Sequence, residues 1–255
     1  MPNFAPSTLI KAGPEKPNSK ESKEMTTKIL MKVIFENFDK RDEDKRQMAK
    51  LAHDKLYFYL VKAKFTLLEI RESIAHDIQG IPLLEKNKAT FLKWFISLDN
   101  VNIVLNNISD IHRRFEDEDI ILTKAFDPDA IAFVNADSEK LRINLCEQFW
   151  ELEENDERYD RALGTILHEL SHLVCNTADH CYGVNDCQQL SAALSVENAD
   201  SYEYYIEDLR RPQIRNYAPN MIQKRKESAS LVKGGHSVSN VTIKTYKCPL
   251  PHHAT

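Results

Sequence analysis

The chain contains 255 residues, of which 42% are hydrophobic and 29% are charged, and its formal net charge is −5. This composition is typical of a globular protein and allows one domain of about 150–200 residues with extensions. The acidic balance gives no reason to expect nucleic acid as a partner, and no apolar run approaches the roughly 20 residues of a membrane span.

The first predicted segment, residues 1–45, is a disordered leader. It is rich in Lys, Ser and Glu and carries Pro2, Pro6, Pro14 and Pro17. Its first part also lacks the apolar core of a secretory signal peptide. We therefore expect synthesis in the cytoplasm without such a signal peptide.

One domain is predicted over residues 46–212, followed by a poorly patterned C-terminal extension, 213–255. Apolar spacing predicts the helices, and short β-branched runs between turn residues predict the strands. In chain order, the predicted elements are a helix over 48–78, one or two helices over 85–116, short strands over 120–122, 130–134 and 141–145, a helix around residue 168, and a helix from about 187 to 210.

Residues 168–172 form the most specific motif of the chain, His-Glu-Leu-Ser-His. On a helix, positions i and i+4 lie on one face, so the imidazoles of His168 and His172 can bind one metal ion. Glu169 then lies beside that metal, where its carboxylate can take a proton from zinc-bound water. The alternative is two histidines and a glutamate on an ordinary amphipathic helix.

A catalytic zinc site uses three protein ligands and leaves one position for water, so the chain must supply a third ligand. The HExxHxxGxxH pattern fails, because Cys175 and Ala178 stand where it requires Gly and His. Three candidates remain: Asp179 just past the helix, its neighbour His180, and Glu197 further along the chain. The residues alone leave these alternatives open.

Several ordered segments resemble the aspzincin metallopeptidases, the family of deuterolysin and peptidyl-Lys metalloendopeptidase. The matching segments are Gly164–His172, Thr177–Gly183, Lys93–Phe95, Leu141–Trp150 and Asn198–Tyr205. The similarity covers roughly residues 60–210 and includes GTxxHExxH, a GTxxD-like loop and Tyr-Gly. It implies an α+β fold, a mainly helical zincin-like metallopeptidase domain with a small β-sheet preceding the HExxH helix.

The resemblance implies roles for five residues. His168, His172 and Asp179 correspond to the family's ligands of one Zn²⁺ ion per chain. Glu169 corresponds to its general base, and Tyr182 corresponds to the tyrosine that assists the transition state. The structural alternative for Tyr182 is a packing tyrosine before a turn glycine.

Two carboxylates bear on specificity. Asp200 and Glu203 are three residues apart, so they share one face of a helix. In the lysine-specific branch of the family, a matching pair receives the substrate's lysine on the carboxyl-terminal side of the cut bond. The resemblance therefore implies cleavage on the N-terminal side of lysine. The alternatives are two solvated helix residues, or Asp200 as a brace for the metal ligands.

The chain departs from the family pattern after the HExxH helix. Asn176 stands where the family has a glycine, and the link from His172 to Asp179 is short. Because Asn tolerates a positive φ better than most residues, we expect the turn to form.

The chain has five cysteines, an odd number, so at least one thiol stays unpaired in a monomer. Residues 125–129, where secreted relatives carry a partner for Cys146, contain no cysteine. Both observations favour a reducing compartment of synthesis. Cys175 and Cys181 lie near the predicted metal in sequence and are competing candidates for its ligands.

These features predict a zinc-dependent endopeptidase that acts on protein or peptide substrates through Glu-activated zinc-bound water. The alternatives are a catalytically silent, metal-stabilised interaction module, and an intracellular zincin whose third ligand is a glutamate. A leader without a secretory signal peptide suits an exported effector or toxin as well as an intracellular peptidase. The sequence makes no prediction of the oligomeric state.

Overall fold

The computed structural model describes residues 33–135, 137–152, 159 and 161–210, together with the backbone of a strand at 245–249. Its helices are α1 (Glu43–Ala75), α2 (Pro82–Phe95), α3 (Val101–Asp117), α4 (Ala162–Cys175), α5 (Val184–Cys187), α6 (Ala192–Ser195) and α7 (Ala199–Arg210). Its strands are β1 (Val33–Glu36), β2 (Ile120–Lys124), β3 (Ala130–Asn135), β4 (Leu141–Leu145) and β5 (Thr245–Pro249). The predicted α+β architecture, mainly helical with a small sheet, is confirmed.

The long helices form because apolar residues recur along one face of each. In α1, Leu56, Leu60, Ala63 and Leu67 are fully buried at spacings of three and four residues. Pro82 occupies the first turn of α2, where its fixed φ suits a helix and its missing N–H costs no hydrogen bond. Within the part of the chain that the structure describes, no helix is long and apolar enough to span a bilayer.

The five strands form one mixed sheet in the order β1-β2-β4-β3-β5. Strand β2 runs parallel to β1 and β4, whereas β3 runs antiparallel to β4 and β5. In the parallel pair at the centre of the sheet, Leu122 lies opposite Ile143. A parallel pair needs a long crossover connection, and helices α1 to α3 supply it between β1 and β2.

The local sequence pattern does not predict the two edge strands. Strand β1 lies inside the range 1–45 predicted as a leader, and β5 lies inside the predicted extension 213–255. They contain four and five residues, too few for a clear alternation, and pairing with β2 and β3 defines them. Residues 33–45 therefore contribute to the sheet and to α1, and residues 245–249 contribute to the sheet, while residues 1–32, 213–244 and 250–255 lie outside the described part.

Helix α4 forms the centre of the domain. All its residues from Ala162 to His172 are buried, and the helix packs against α1, α3, α7 and β3. A helix that is buried all round belongs to a core, where ionisable side chains are costly unless they have partners. The burial of His168, Glu169 and His172 therefore indicates a site with its own polar environment.

The prediction of one helix over 187–210 is wrong. The chain instead forms α5, α6 and α7 with turns between them. The hydroxyl of Ser191 accepts a hydrogen bond from Leu194 N and so starts α6 as its N-cap. At Asn198 the backbone runs beside Ala178 in a parallel bridge, and α7 begins only after that pairing.

Candidate metal centre

Helix α4 brings its two motif histidines together. His168 and His172 are buried, and their ring centroids lie 4.8 Å apart. His172 Nδ1 lies 2.9 Å from the carbonyl oxygen of Thr177, which can only accept, so Nδ1 donates and Nε2 carries the lone pair. Burial lowers the pKa of His172, which also favours the neutral ring that binds metals.

The chain turns back toward these histidines immediately after α4. Asn176 ends the helix in the left-handed region, with φ 54° and ψ 38°, so the expectation that Asn supports this turn is confirmed. Two backbone hydrogen bonds then hold Ala178: its N donates to Glu197 O at 2.7 Å, and its O accepts from Ala199 N at 3.1 Å. These bonds fix the position of the next residue, Asp179.

Asp179 lies between the two histidines. Its Oδ1 is 3.1 Å from His168 Nε2 and 3.3 Å from His172 Nε2. One ligand atom from each of the three residues lies within 4.8 Å of the others. The structure therefore brings together the three residues that the resemblance implies as ligands.

Two further carboxylates contact the other nitrogen of His168. Asp200 Oδ1 lies 2.9 Å and Glu203 Oε2 lies 3.3 Å from His168 Nδ1. Carboxylates accept, so Nδ1 donates and Nε2 of His168 again carries the lone pair. Both carboxylates are buried, with 3% and 2% of their surface exposed, and Asp200 Oδ2 also accepts from Gly183 N at 2.9 Å.

The residues fit a divalent cation on the evidence of these contacts. Both imidazoles direct an Nε2 lone pair, and Asp179 directs a carboxylate oxygen, toward the same point. Three acceptor atoms that face one another at 3.1 and 3.3 Å repel unless a positive charge lies among them. Two neutral imidazoles and one carboxylate suit zinc, and three protein ligands leave a coordination position for water.

The competing ligands lie elsewhere. Glu197 is 66% exposed at its side chain, and its Oε2 lies 3.6 Å from His180 Nε2. Cys175 Sγ is 3.6 Å from Asn107 O, and Cys181 Sγ contacts Cys187 Sγ. Among the described residues, none of these side chains belongs to a group that could hold a metal with His168 and His172.

The two predicted catalytic residues, Glu169 and Tyr182, lie close to these ligands in the sequence. Glu169 follows His168 on α4 and is completely buried. Tyr182 lies in the segment between Asp179 and α5 and is 40% exposed, so it is not the packed core tyrosine of the structural alternative. The next residue, Gly183, has φ 84° and donates its N–H to Asp200, which ties this segment to α7.

The sequence patterns miss one buried carboxylate and its glycine neighbour. Glu207 is 1% exposed, and its Oε1 accepts from Arg161 N at 2.9 Å. A Cβ at Gly164 would lie 2.8 Å from Glu203 Oε1 and would also meet Glu207 Oε1, so only glycine leaves room for both carboxylates. The spacing of Asp200, Glu203 and Glu207 by three and four residues was the signal available in the sequence.

Comparison with known proteins identifies the family. The aspzincin family model, described as lysine-specific metallo-endopeptidase, matches residues 84–207. A peptidyl-Lys metalloendopeptidase from Pleurotus ostreatus is 32% identical over 125 residues, which cover 46% of this chain and 73% of the relative. The chain belongs to the aspzincin family. The predicted family is therefore confirmed, and with it the class of zinc metalloendopeptidases to which the family belongs.

Other relatives match this aspzincin over shorter parts of their length. The peptidyl-Lys metalloendopeptidase of Armillaria mellea is 35% identical over 71 residues, which cover 26% of this chain and 20% of the relative. A protein of Aeromonas hydrophila named Extracellular protease is 27% identical over 149 residues, which cover 55% of this chain and 42% of the relative. The chain thus spans less than two thirds of either relative.

The fold is similar to that of a zinc peptidase from Grifola frondosa. The two structures align with a TM-score of 0.52 over 66% of this chain and 97% of the other, at 20% sequence identity. This likeness supports the α+β fold class of the aspzincin described here.

Proposed function

We propose that this aspzincin is an endopeptidase that binds one Zn²⁺ ion through His168, His172 and Asp179 and hydrolyses peptide bonds in protein substrates. The observation that carries the proposal is the convergence of three acceptor atoms within 4.8 Å of one another, two from the buried helix α4 and one from the loop that follows it. A zinc ion bound there would polarise the scissile carbonyl and lower the pKa of a bound water molecule to about 7.

The chain's own residues supply the proton transfers. Glu169, fully buried and adjacent to His168 in sequence, is the proposed general base. It accepts a proton from the attacking water and returns it to the leaving amine, which needs a carboxylate close to both. The partly exposed phenol of Tyr182 donates a hydrogen bond to the carbonyl oxygen as negative charge develops on it. Asp200 and Glu203 hold the His168 ring through its Nδ1 hydrogen.

The ligand assignment is tested by zinc content. Purified Asp179→Ala should lose most of its zinc, measured by inductively coupled plasma mass spectrometry, because the two imidazoles alone leave the site incomplete. Glu197→Ala is the matched control and should keep its zinc, since Glu197 faces His180. If Glu197→Ala loses its zinc and Asp179→Ala keeps it, the third ligand is the later glutamate.

The catalytic assignment is tested separately from metal binding. Glu169→Gln keeps the shape of the side chain but removes the base, so zinc content should stay at the parent level. The rate of casein cleavage should fall by about 10²–10⁴-fold. A variant that cleaves casein as fast as the parent would exclude Glu169 as the general base, whereas a zinc-loaded parent that cleaves no casein would support the silent interaction module.

We further propose that substrates are cut on the N-terminal side of lysine, and that Asp200 and Glu203 attract the lysine side chain. Two buried carboxylates lie within 3.3 Å of His168 Nδ1, next to the proposed metal ligands. An ammonium group is attracted far more strongly to carboxylates removed from water than to exposed ones. The names of the Pleurotus and Armillaria relatives, peptidyl-Lys metalloendopeptidase, also support this preference.

Sequencing of new N-termini in a digested proteome tests the lysine preference. We expect lysine to be enriched at the first position of the new ends. At a Zn²⁺ concentration that saturates each variant, Glu203→Ala should reduce that enrichment more than it reduces total cleavage. Glu197→Ala, which removes an exposed carboxylate, should leave the enrichment unchanged. Ends that begin mostly with apolar residues would exclude the two carboxylates as a lysine pocket.

The site of action is the last part of the proposal: we propose that the protein is exported as an effector. The support is the Aeromonas hydrophila relative named Extracellular protease. Quantification of the protein in the medium and in producing cells, with a cytosolic marker as the lysis control, tests this. Protein confined to the cells would contradict export.

A further inference from the structure

We propose that Cys181 and Cys187 are an oxidation site at which a reversible disulfide forms across the segment that follows Asp179. Their sulfur atoms lie 3.2 Å apart. An S–S bond measures about 2.05 Å, so its formation needs a displacement of only about 1 Å, which small side-chain rotations can supply. Neither cysteine is a proposed ligand or catalytic group, so the inference does not depend on the proposed function.

The side chain of Asn198 forms hydrogen bonds to both cysteines of this pair. Its Oδ1 accepts hydrogen bonds from His180 N at 2.9 Å and from Cys181 N at 3.2 Å. Its Nδ2 donates to Cys187 Sγ at 3.5 Å. Asn198 is completely buried and is itself fixed by the backbone bridge to Ala178. The arrangement of the two thiols is therefore part of the folded core and not a chance approach of surface groups.

The two cysteines differ in access to solvent. Cys187 is completely buried, whereas Cys181 is partly exposed. A soluble disulfide reagent can therefore reach Cys181 and not Cys187. This asymmetry assigns Cys181 as the sulfur that first reacts with a disulfide in solution and Cys187 as the sulfur that resolves the adduct.

Oxidation by a low-molecular-weight disulfide such as oxidised glutathione balances in two exchanges. The Cys181 sulfur attacks the reagent, forms a mixed disulfide, and releases one glutathione thiol that takes up the Cys181 proton. The Cys187 sulfur then attacks Cys181 Sγ and displaces the second glutathione, which takes up the Cys187 proton. The two protein thiols lose two electrons in total, and the reagent's disulfide gains them.

The disulfide would close a loop that contains residues 182–186, among them Tyr182 and Gly183. Gly183 N already donates to Asp200 Oδ2 of α7 at 2.9 Å, so the disulfide would add an attachment of this segment to Cys187 at the end of α5. Closing a short ring removes conformational freedom from the unfolded chain. We expect the oxidised protein to melt on the order of 5 °C above the reduced protein.

The experiment uses the full-length, zinc-loaded protein in buffers of increasing ratio of oxidised to reduced glutathione. Samples are quenched in acid, alkylated and analysed by peptide mass spectrometry, and melting is followed by circular dichroism. Two variants, Cys187→Ser and Cys175→Ser, accompany the parent. Cys175 is the matched control, because its sulfur contacts the carbonyl oxygen of Asn107.

We expect the parent and Cys175→Ser to yield a peptide in which Cys181 is linked to Cys187. In Cys187→Ser, a glutathione adduct should instead accumulate on Cys181, because no resolving thiol is present. The proposal is overturned if the parent forms no such link at a large excess of oxidised glutathione, or if its Cys181 keeps the adduct. Peptide mapping of the parent decides this even if Cys187→Ser fails to fold.

Discussion

Replacement of Gly164 by alanine tests the packing behind the proposed zinc ligand His168. A Cβ at this position would meet Glu207 Oε1 and would lie 2.8 Å from Glu203 Oε1. Both carboxylates end flexible side chains, but each is buried and engaged. Glu207 Oε1 accepts from Arg161 N at 2.9 Å, and Glu203 Oε2 lies 3.3 Å from His168 Nδ1. The new methyl group must therefore displace at least one carboxylate from its partner.

The expected change in the free energy of unfolding follows from two opposing contributions. A hydrogen bond to a charged group contributes about 1.5–3 kcal/mol, and alanine in place of glycine recovers about 1 kcal/mol of helix propensity. The free energy of unfolding should therefore fall by about 0.5–2 kcal/mol, and Tm should fall by roughly 1–8 °C. Because Glu203 contacts a proposed ligand, Zn²⁺ affinity should fall by about 10-fold.

The assay combines thermal unfolding with zinc titration against a competing chelator. Gly80→Ala is the matched control: φ is 76° at Gly80 and no other atom lies within 4 Å of an added Cβ. It should lose about 1 kcal/mol of stability through its left-handed backbone while its Zn²⁺ affinity stays at the parent value. The reasoning is refuted if Gly164→Ala matches the parent in both measurements, or if Gly80→Ala weakens zinc binding equally.

Two further predictions concern stability away from the metal. Burial lowers the pKa of His53, although the neighbouring Asp54 carboxylate acts to raise it. The unfolded state therefore binds the proton more readily, and the protein loses stability as the pH falls below about 6.5. In urea unfolding between about pH 5 and 7, the free energy of unfolding of His53→Gln should depend less on pH than that of the parent. An equal pH dependence in the two proteins would contradict this prediction. The buried Tyr205 hydroxyl lacks a hydrogen-bond partner among the described residues, whereas the Tyr202 hydroxyl donates to Val196 O at 2.8 Å. Tyr205→Phe should therefore leave the free energy of unfolding unchanged or raise it by up to about 1 kcal/mol. Tyr202→Phe should lower it by about 1–3 kcal/mol. Equal effects of the two substitutions in denaturant unfolding would contradict this difference between the hydroxyls.

The features of this aspzincin that could be predicted from the sequence are those set by local periodicity. The helical repeat alone puts His168 and His172 on one face, whatever surrounds the helix. The same repeat reveals α1 through its apolar spacing, and alternation reveals β4. The left-handed turn at Asn176 was also predictable, because it depends on the conformational range of one residue.

Only the tertiary structure decided which residues meet these local elements. Asp179, His180 and Glu197 were equivalent candidates by spacing, and the backbone bridge between Ala178 and Asn198 separates them by turning Asp179 toward the histidines. That bridge also breaks the predicted helix over 187–210, and pairing with β2 and β3 turns unpatterned segments into edge strands. The physical reason is the same for the position of Asp179, for the break in the predicted helix and for the edge strands. Every buried N–H and C=O group needs a partner, and when that partner is far away in the chain, no local spacing records it.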